Sequence, residues 1–356
     1  MDPSSLIPSP DTIPVHWGWF QFFLILTFVL HLLFMNTMLG MGIIALVASV
    51  RSKLQNLQTA KEISGKLPYA IAFTVNTGVA PLLFIQVLYG NFIYTSSVLM
   101  AVYWLSIFVI LLIAYYSAYI YSFKFDTLGS GRTFFIALTV IFMLVVGFFF
   151  SNNMTLMLTP DRWTRYFTNP GGTILNFSEP TLFPRFFHFV AASIAVGGLF
   201  LALVFKFKKK NSDYRREKIA SGMRWFSYST IAQILIGAWF LISLPRDIIF
   251  LFFGGNFFAT ILFLSGIVGT TLALVFGFQK KVWPCAITTL FTIIIMVLIR
   301  DLVRRAYLEP YFTVSTLKVV PQYSPLILFV VTLVIGLSLV VYMLKLAFQS
   351  RREDEK

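Results

Sequence analysis

Hydrophobic residues run in nine long blocks separated by short polar or charged breaks. The blocks fall near 19–50, 68–92, 96–123, 133–157, 183–207, 225–245, 250–278, 282–306 and 324–348, each long enough to cross a hydrocarbon core of about 30 Å as a helix. At that depth no water is available to the backbone amides, and a helix satisfies them internally. The pattern therefore predicts an all-α fold, a polytopic membrane bundle of nine transmembrane helices in a single domain over 1–356. The first block is too long for a signal-peptide core. It follows a leader with Asp2, Pro3, Pro8, Pro10, Asp11 and Pro14 rather than basic residues, so it is expected to stay as the first helix.

Composition agrees with that class: 58% of residues are hydrophobic, 12% are charged, and the mean hydropathy is +0.82, outside the proportions of soluble domains. Lys and Arg collect in alternate breaks. Arg51, Lys53, Lys61 and Lys66 follow the first span, and Lys124 and Arg132 the third. Lys206, Lys208, Lys209, Lys210, Arg215, Arg216, Lys218 and Arg224 follow the fifth, Lys280 and Lys281 the seventh, and Arg351 and Arg352 close the chain. Basic loops stay cytoplasmic, so the N-terminus is expected outside and the C-terminus inside. Most of the net charge of +14 is this topological bias, and no nucleic-acid partner is implied. The 206–224 cluster has a second reading as a contact for anionic membrane lipid.

A single cysteine, Cys285, excludes an internal disulfide framework and a thiolate metal cluster. There is no C-x-x-C-H, so any haem would be held non-covalently, and no glycine-rich phosphate loop or H-E-x-x-H is present. The longest polar stretches, 152–182 and 307–323, are expected to form a small outer cap; Asp161, Arg162, Trp163 and Arg165 would alternatively suit partner docking.

Depth then sorts the polar residues within the spans, at about 1.5 Å per residue. His31 in the first span, Arg185 and His188 in the fifth, Gln86, Gly90 and Asn91 in the second, and Arg300, Asp301, Arg304 and Arg305 in the eighth all fall toward the outer end. Ionisable groups at membrane depth call for a partner. Neutral imidazole is a good haem-iron ligand, and guanidinium forks suit haem propionates. The competing readings are that the arginines snorkel to the interface, that Asp301 pairs with Arg304, and that each histidine bonds a neighbouring helix. His16, beside Trp17 and Trp19, reads as interfacial rather than as a ligand.

The stretch Leu30-His31-Leu32-Leu33-Phe34-Met35-Asn36-Thr37-Met38-Leu39-Gly40-Met41 resembles the first-helix signature of subunit I of cytochrome bd quinol oxidases. The run from Asn76, Thr77 and Gly78 to Gln86, Gly90 and Asn91 is similar to that family's second helix, and Arg185-Phe186-Phe187-His188 to its fifth. Asp301-Leu302-Val303-Arg304-Arg305-Ala306-Tyr307 falls where the family carries a haem-ligating glutamate followed by an arginine and an aromatic. The resemblance implies that His31 and His188 are axial ligands of non-covalent haem b, that Arg185, Arg300 and Arg304 hold propionates, and that Gln86 and Asn91 belong to the cofactor site. It also implies quinone as substrate and the bacterial inner membrane as location.

Three departures bear on the activity. The family's two third-helix glutamates have no counterpart, since 96–123 contains no carboxylate. Its long quinol-binding loop is reduced to the link Pro245 to Gly254, and its seventh-helix methionine ligand is missing between Asn256 and Gly269. Met35, Met38, Met154 and Met157 are the substitutes considered for that ligand. The expectation is a haem b electron-transfer subunit that does not itself reduce oxygen. It would exchange electrons between the quinone pool and an outer-side c-type cytochrome on another subunit, with Asp301 as a weak ligand or proton acceptor. The alternatives are a haem-free scaffold or anchor of a redox complex, and a true quinol:oxygen oxidoreductase.

Overall fold

The structure is a computed structural model that describes residues 3–51, 54–208 and 212–353, without the side chains of 3, 54, 55, 212 and 350–353. Lys53, Lys209 and Lys210, used in the topology reading, lie outside the described residues, and the side chains of Arg351 and Arg352 are not described. The helices are α1 (Trp17–Arg51), α2 (Leu54–Ser64), α3 (Leu67–Leu99), α4 (Ala101–Phe123), α5 (Gly131–Leu158), α6 (Leu182–Phe207), α7 (Ser212–Ile242), α8 (Arg246–Phe250), α9 (Phe257–Phe278), α10 (Val282–Leu308) and α11 (Tyr323–Glu353). All but α2 and α8 are long and apolar enough to span a bilayer, giving nine candidate spans among the described residues. The expected all-α polytopic bundle is the fold found, in a chain built for the membrane.

Three boundaries move, each for a local reason. The second span runs on to Leu99 because Thr95, Ser96 and Ser97 bond back to carbonyls three or four residues earlier, so this polar run does not end the helix. The sixth begins at Ser212, its basic first turns projecting beyond the apolar segment. The block at 250–278 is broken: Phe253 leaves helical geometry, Gly254 takes φ +102°, and Asn256 then caps α9 by accepting from the Ala259 amide at 2.9 Å.

Alternation of the spans puts the two kinds of break at opposite ends. At the basic end, amphipathic α2 packs on α1 and α4 and ties down charge through Lys61–Asp126 (2.7 Å) and Lys208–Glu62. At the other end the leader and residues 159–181 and 309–322 form a folded cap. Ile13 pairs in parallel with Val319, Trp163 is 2% exposed and donates from Nε1 to the Leu156 carbonyl (2.8 Å), and the Asn176 amide donates to Asn152 (2.7 Å). Trp163 is thus cap core and not available to a docking partner. Phe92 and Phe312 continue this packing into the bundle.

Two contacts set the frame of the site. Helices α1 and α6 run in the same direction and touch through small residues: a Cβ on Gly40 would overlap the Ser193 carbonyl, and one on Gly197 the Gly40 backbone. Ser193 also donates to Asn36 at 2.9 Å. Close approach and interhelical hydrogen bonding of this kind hold helices together where lipid gives no hydrophobic drive. Helix α7 packs along α6 in turn, with Gly198 against Gly222. By contrast α11 has none of its apolar span buried and touches the bundle through Leu326, Phe329 and Leu333, with Phe329 edge-on to Phe23 and Phe84.

Candidate functional site

The contacts Asn36–Ser193 and Gly40–Gly197 share a sequence offset of 157, and so do His31 and His188. Nine residues before the Gly40–Gly197 crossing on each parallel helix, the two imidazoles therefore stand at one level toward the cap. His31 turns to α3, where its Nδ1 donates to the Thr74 carbonyl at 3.1 Å and its ring lies on Gly78, whose Cβ, if present, would come within 2.9 Å. That bond puts the proton on Nδ1 and leaves the Nε2 lone pair free, the arrangement that orients an iron-binding imidazole. His188 turns to α7. Gln233 donates to its Nε2 over 3.4 Å, at the outer limit for a hydrogen bond, its Nδ1 is buried without a partner, and Gly237 receives the ring.

One turn nearer the cap lies a layer of guanidinium groups. Arg185, three residues before His188, stacks on Phe240 of α7 at 5.1 Å. Arg300 of α10 stacks at 4.2 Å on Phe28, which is three residues before His31 and 6.3 Å from its ring. Arg304 lies over Tyr89, 4.8 Å from the ring centroid. Arg185, Arg300 and Arg304 line one void of about 10 Å³, with Met154, Met157 and Leu158 on its other side. Arg185 Nε and Nη2 and Arg304 Nε are buried with no hydrogen-bond partner.

The local anions do not balance this layer. Asp301 gives one carboxylate oxygen to Arg304 and the other to Arg305 at 2.8 Å, so both are engaged within its own helix. Glu179 is buried in the cap loop, accepts from the Thr181 hydroxyl at 2.8 Å and interacts by charge with Arg185. Four guanidinium groups thus face two carboxylates. Buried cations with unmade hydrogen bonds are costly unless a further anion answers them.

The other expected residues divide. Asn91 lies just past a kink at Tyr89, and both of its amide atoms are buried and unpartnered. Gln86 is half-buried, with no hydrogen bond to the described residues. Met154 and Met157 reach the arginine void, whereas Met38 is packed in the core nearer the basic end. His16 accepts from the Gly18 amide at 3.1 Å and lies tilted against the Trp17 ring, an engagement confined to its own turn. Tyr89 and Glu179 belong to the site although neither stands out in the sequence. Tyr89 is one of fifteen tyrosines, and Glu179 sits in a loop and not in a span. A buried loop carboxylate opposite an outer-end arginine was the available signal.

The donor set fits a haem: one imidazole has a free nitrogen, the other is loosely bonded at the same level, and orphaned guanidinium N–H groups lie a turn away. The void is far smaller than a porphyrin, so admitting one requires the flexible Met154 and Met157 side chains to move. Among the described residues, no three His, Cys, Asp or Glu side chains gather as a metal cluster. No protein-family model matches the chain, and no curated protein matches it.

Proposed function

We propose that this chain is a membrane haem b electron-transfer subunit, similar to subunit I of cytochrome bd oxidases, in the bacterial cytoplasmic membrane. The observation that carries the reading is that Arg185, Arg300 and Arg304 line one void, Arg185 and Arg304 with buried N–H groups that make no hydrogen bond, one turn above two histidines in register. His31 and His188 would be the axial ligands, and the arginine trio would hold the propionates. Bound haem would supply one-electron redox chemistry. The protein would fix the His31 tautomer through Thr74, stack Arg300 on Phe28 and Arg185 on Phe240 to aim their donors, and balance Arg304 and Arg305 with Asp301. In this account Asp301 sets charge and is not a proton acceptor.

The quinone pool as electron source and a c-type cytochrome on another subunit as acceptor follow from the resemblance. Oxygen reduction is not part of the proposal, because α4 carries no carboxylate to deliver protons. The test is stopped-flow spectroscopy of the purified chain. A reduced naphthoquinol should reduce its haem, added c-type cytochrome should reoxidise it, and oxygen uptake should stay at background. Haem that no quinol reduces would refute the quinone role, and sustained oxygen uptake would restore the oxidase reading.

The small size of the void favours a second reading, a haem-free scaffold in which the arginines only brace the cap. A colourless preparation that folds normally would select it.

A further inference from the structure

A second cavity has no part in that site. It has a volume of about 460 Å³ and lies between α1, α3, α6 and α10, on the basic side of His31, reached from Leu33 and Phe73 at its inner end to Met41 and Leu203 at the other. Its wall is mostly apolar and comes from four helices, with Thr37 and Thr289 among the lining side chains, and Lys66 is the one charged residue among its described lining residues. In a bilayer such a groove is filled by hydrocarbon chains at little gain, since tails are as apolar as the wall. Selectivity must come from the polar end.

That end is positively charged and not neutralised. Lys61 is paired with Asp126, Lys208 with Glu62, and Lys218 donates to Thr59 at 2.6 Å, but the Lys66 amine has no partner among the described residues. Lys66 is also the N-cap of α3, which has no side-chain cap and carries Pro at its start. Helix α10 begins at the same end of the groove with Lys281 as its N-cap, again without a side-chain cap, and with Lys280 beside it. Two uncapped helix starts add positive partial charge to three lysines. Lys281 is five residues, about 7.5 Å of helix, from the groove residue Ala286.

We propose that the groove binds one anionic phospholipid from the leaflet at the basic end, an acyl chain lying between α1, α3, α6 and α10 and the phosphate at Lys66 and the α3 and α10 N-termini. This inference is independent of the haem reading, and its readout involves no haem.

The test is native mass spectrometry of the full-length purified chain, titrated with phosphatidylglycerol and with phosphatidylcholine of the same acyl chains. The expected result is one tightly retained phosphatidylglycerol, preferred about fivefold, the factor one Lys beside an anionic headgroup is worth. Lys66→Gln should lower the preference and Lys66→Arg keep it, while Ala286→Phe, which fills the groove, should lower retention of both lipids. Equal retention of the two lipids by the native chain would overturn the proposal, as would a preference unchanged in Lys66→Gln. Displacement of the lipid by a long-tailed quinone at one equivalent would overturn it in favour of a quinone site. Glycerol phosphate binding as well as the lipid would mark a headgroup site that does not use the groove.

Discussion

Asp301 faces two guanidinium groups at once, and its removal would leave Arg304 buried and unpaired, and the partly exposed Arg305 unpaired, beside an already positive layer. Asp301→Ala should therefore lower stability by about 3 kcal/mol, as loss of one member of a buried charge network does. The exposed pair Lys61–Asp126 gives the contrast: Lys61→Ala should cost under about 1 kcal/mol, because solvent screens it. Thermal unfolding of the detergent-purified variants would check both, with a drop of several degrees for the first and almost none for the second. Gly78→Ala brings a methyl group against the His31 ring and should displace that imidazole without unfolding α3. Its signature would be a shifted or weakened haem band in a protein of native size. At this scale the intramembrane groups were easy to read, because His31, Arg185, His188, Arg300, Asp301 and Arg304 are conspicuous in apolar surroundings. Their partners were not. Nothing in the chain announces that Phe28 and Phe240 carry guanidinium groups, or that Trp163 is cap core.

Helix packing turns these residues into a site. The Gly40–Gly197 crossing fixes α1 against α6, and through the shared offset it brings His31 level with His188. Gly197→Leu would drive a side chain into the α1 backbone and should cost several kcal/mol, in the range of the larger overpacking penalties. Size-exclusion chromatography should show aggregation, with simultaneous loss of any haem. Helix α11 is the opposite case: with none of its span buried, a chain ending at 322 should insert, stay monodisperse and keep its spectrum. Helix existence was legible from apolar length alone, and depth could be counted from it. Register could not, because the offset of 157 depends on which small residues meet. The break before α9 had a visible marker in Gly254, Gly255 and Asn256, a flexible pair followed by a capping residue, within an apolar run that hides it.

Across the whole molecule, the cap, the arginine layer and the two histidines lie toward one end, and the unpaired lysines toward the other. Positive loops are retained in the cytoplasm, so the cap should face outward. A cysteine placed at Asp161 in a Cys285→Ala background should react with a membrane-impermeant maleimide in intact cells, and one placed at Lys280 should not; the reverse would invert the topology. The cap then closes the outer end over a charge excess buried below it, a layout suited to a redox group that exchanges electrons with an external partner. In the proposed function this layer and the two histidines, His31 and His188, hold haem b. The direct measurement is a dithionite-reduced minus oxidised spectrum, with a pyridine haemochrome assay, of the purified chain and its His31→Ala and His188→Ala variants. A b-type signal in the native chain that is lost or altered in both variants is the predicted result. A colourless native protein, or a b-type spectrum unchanged in the variants, would contradict the account.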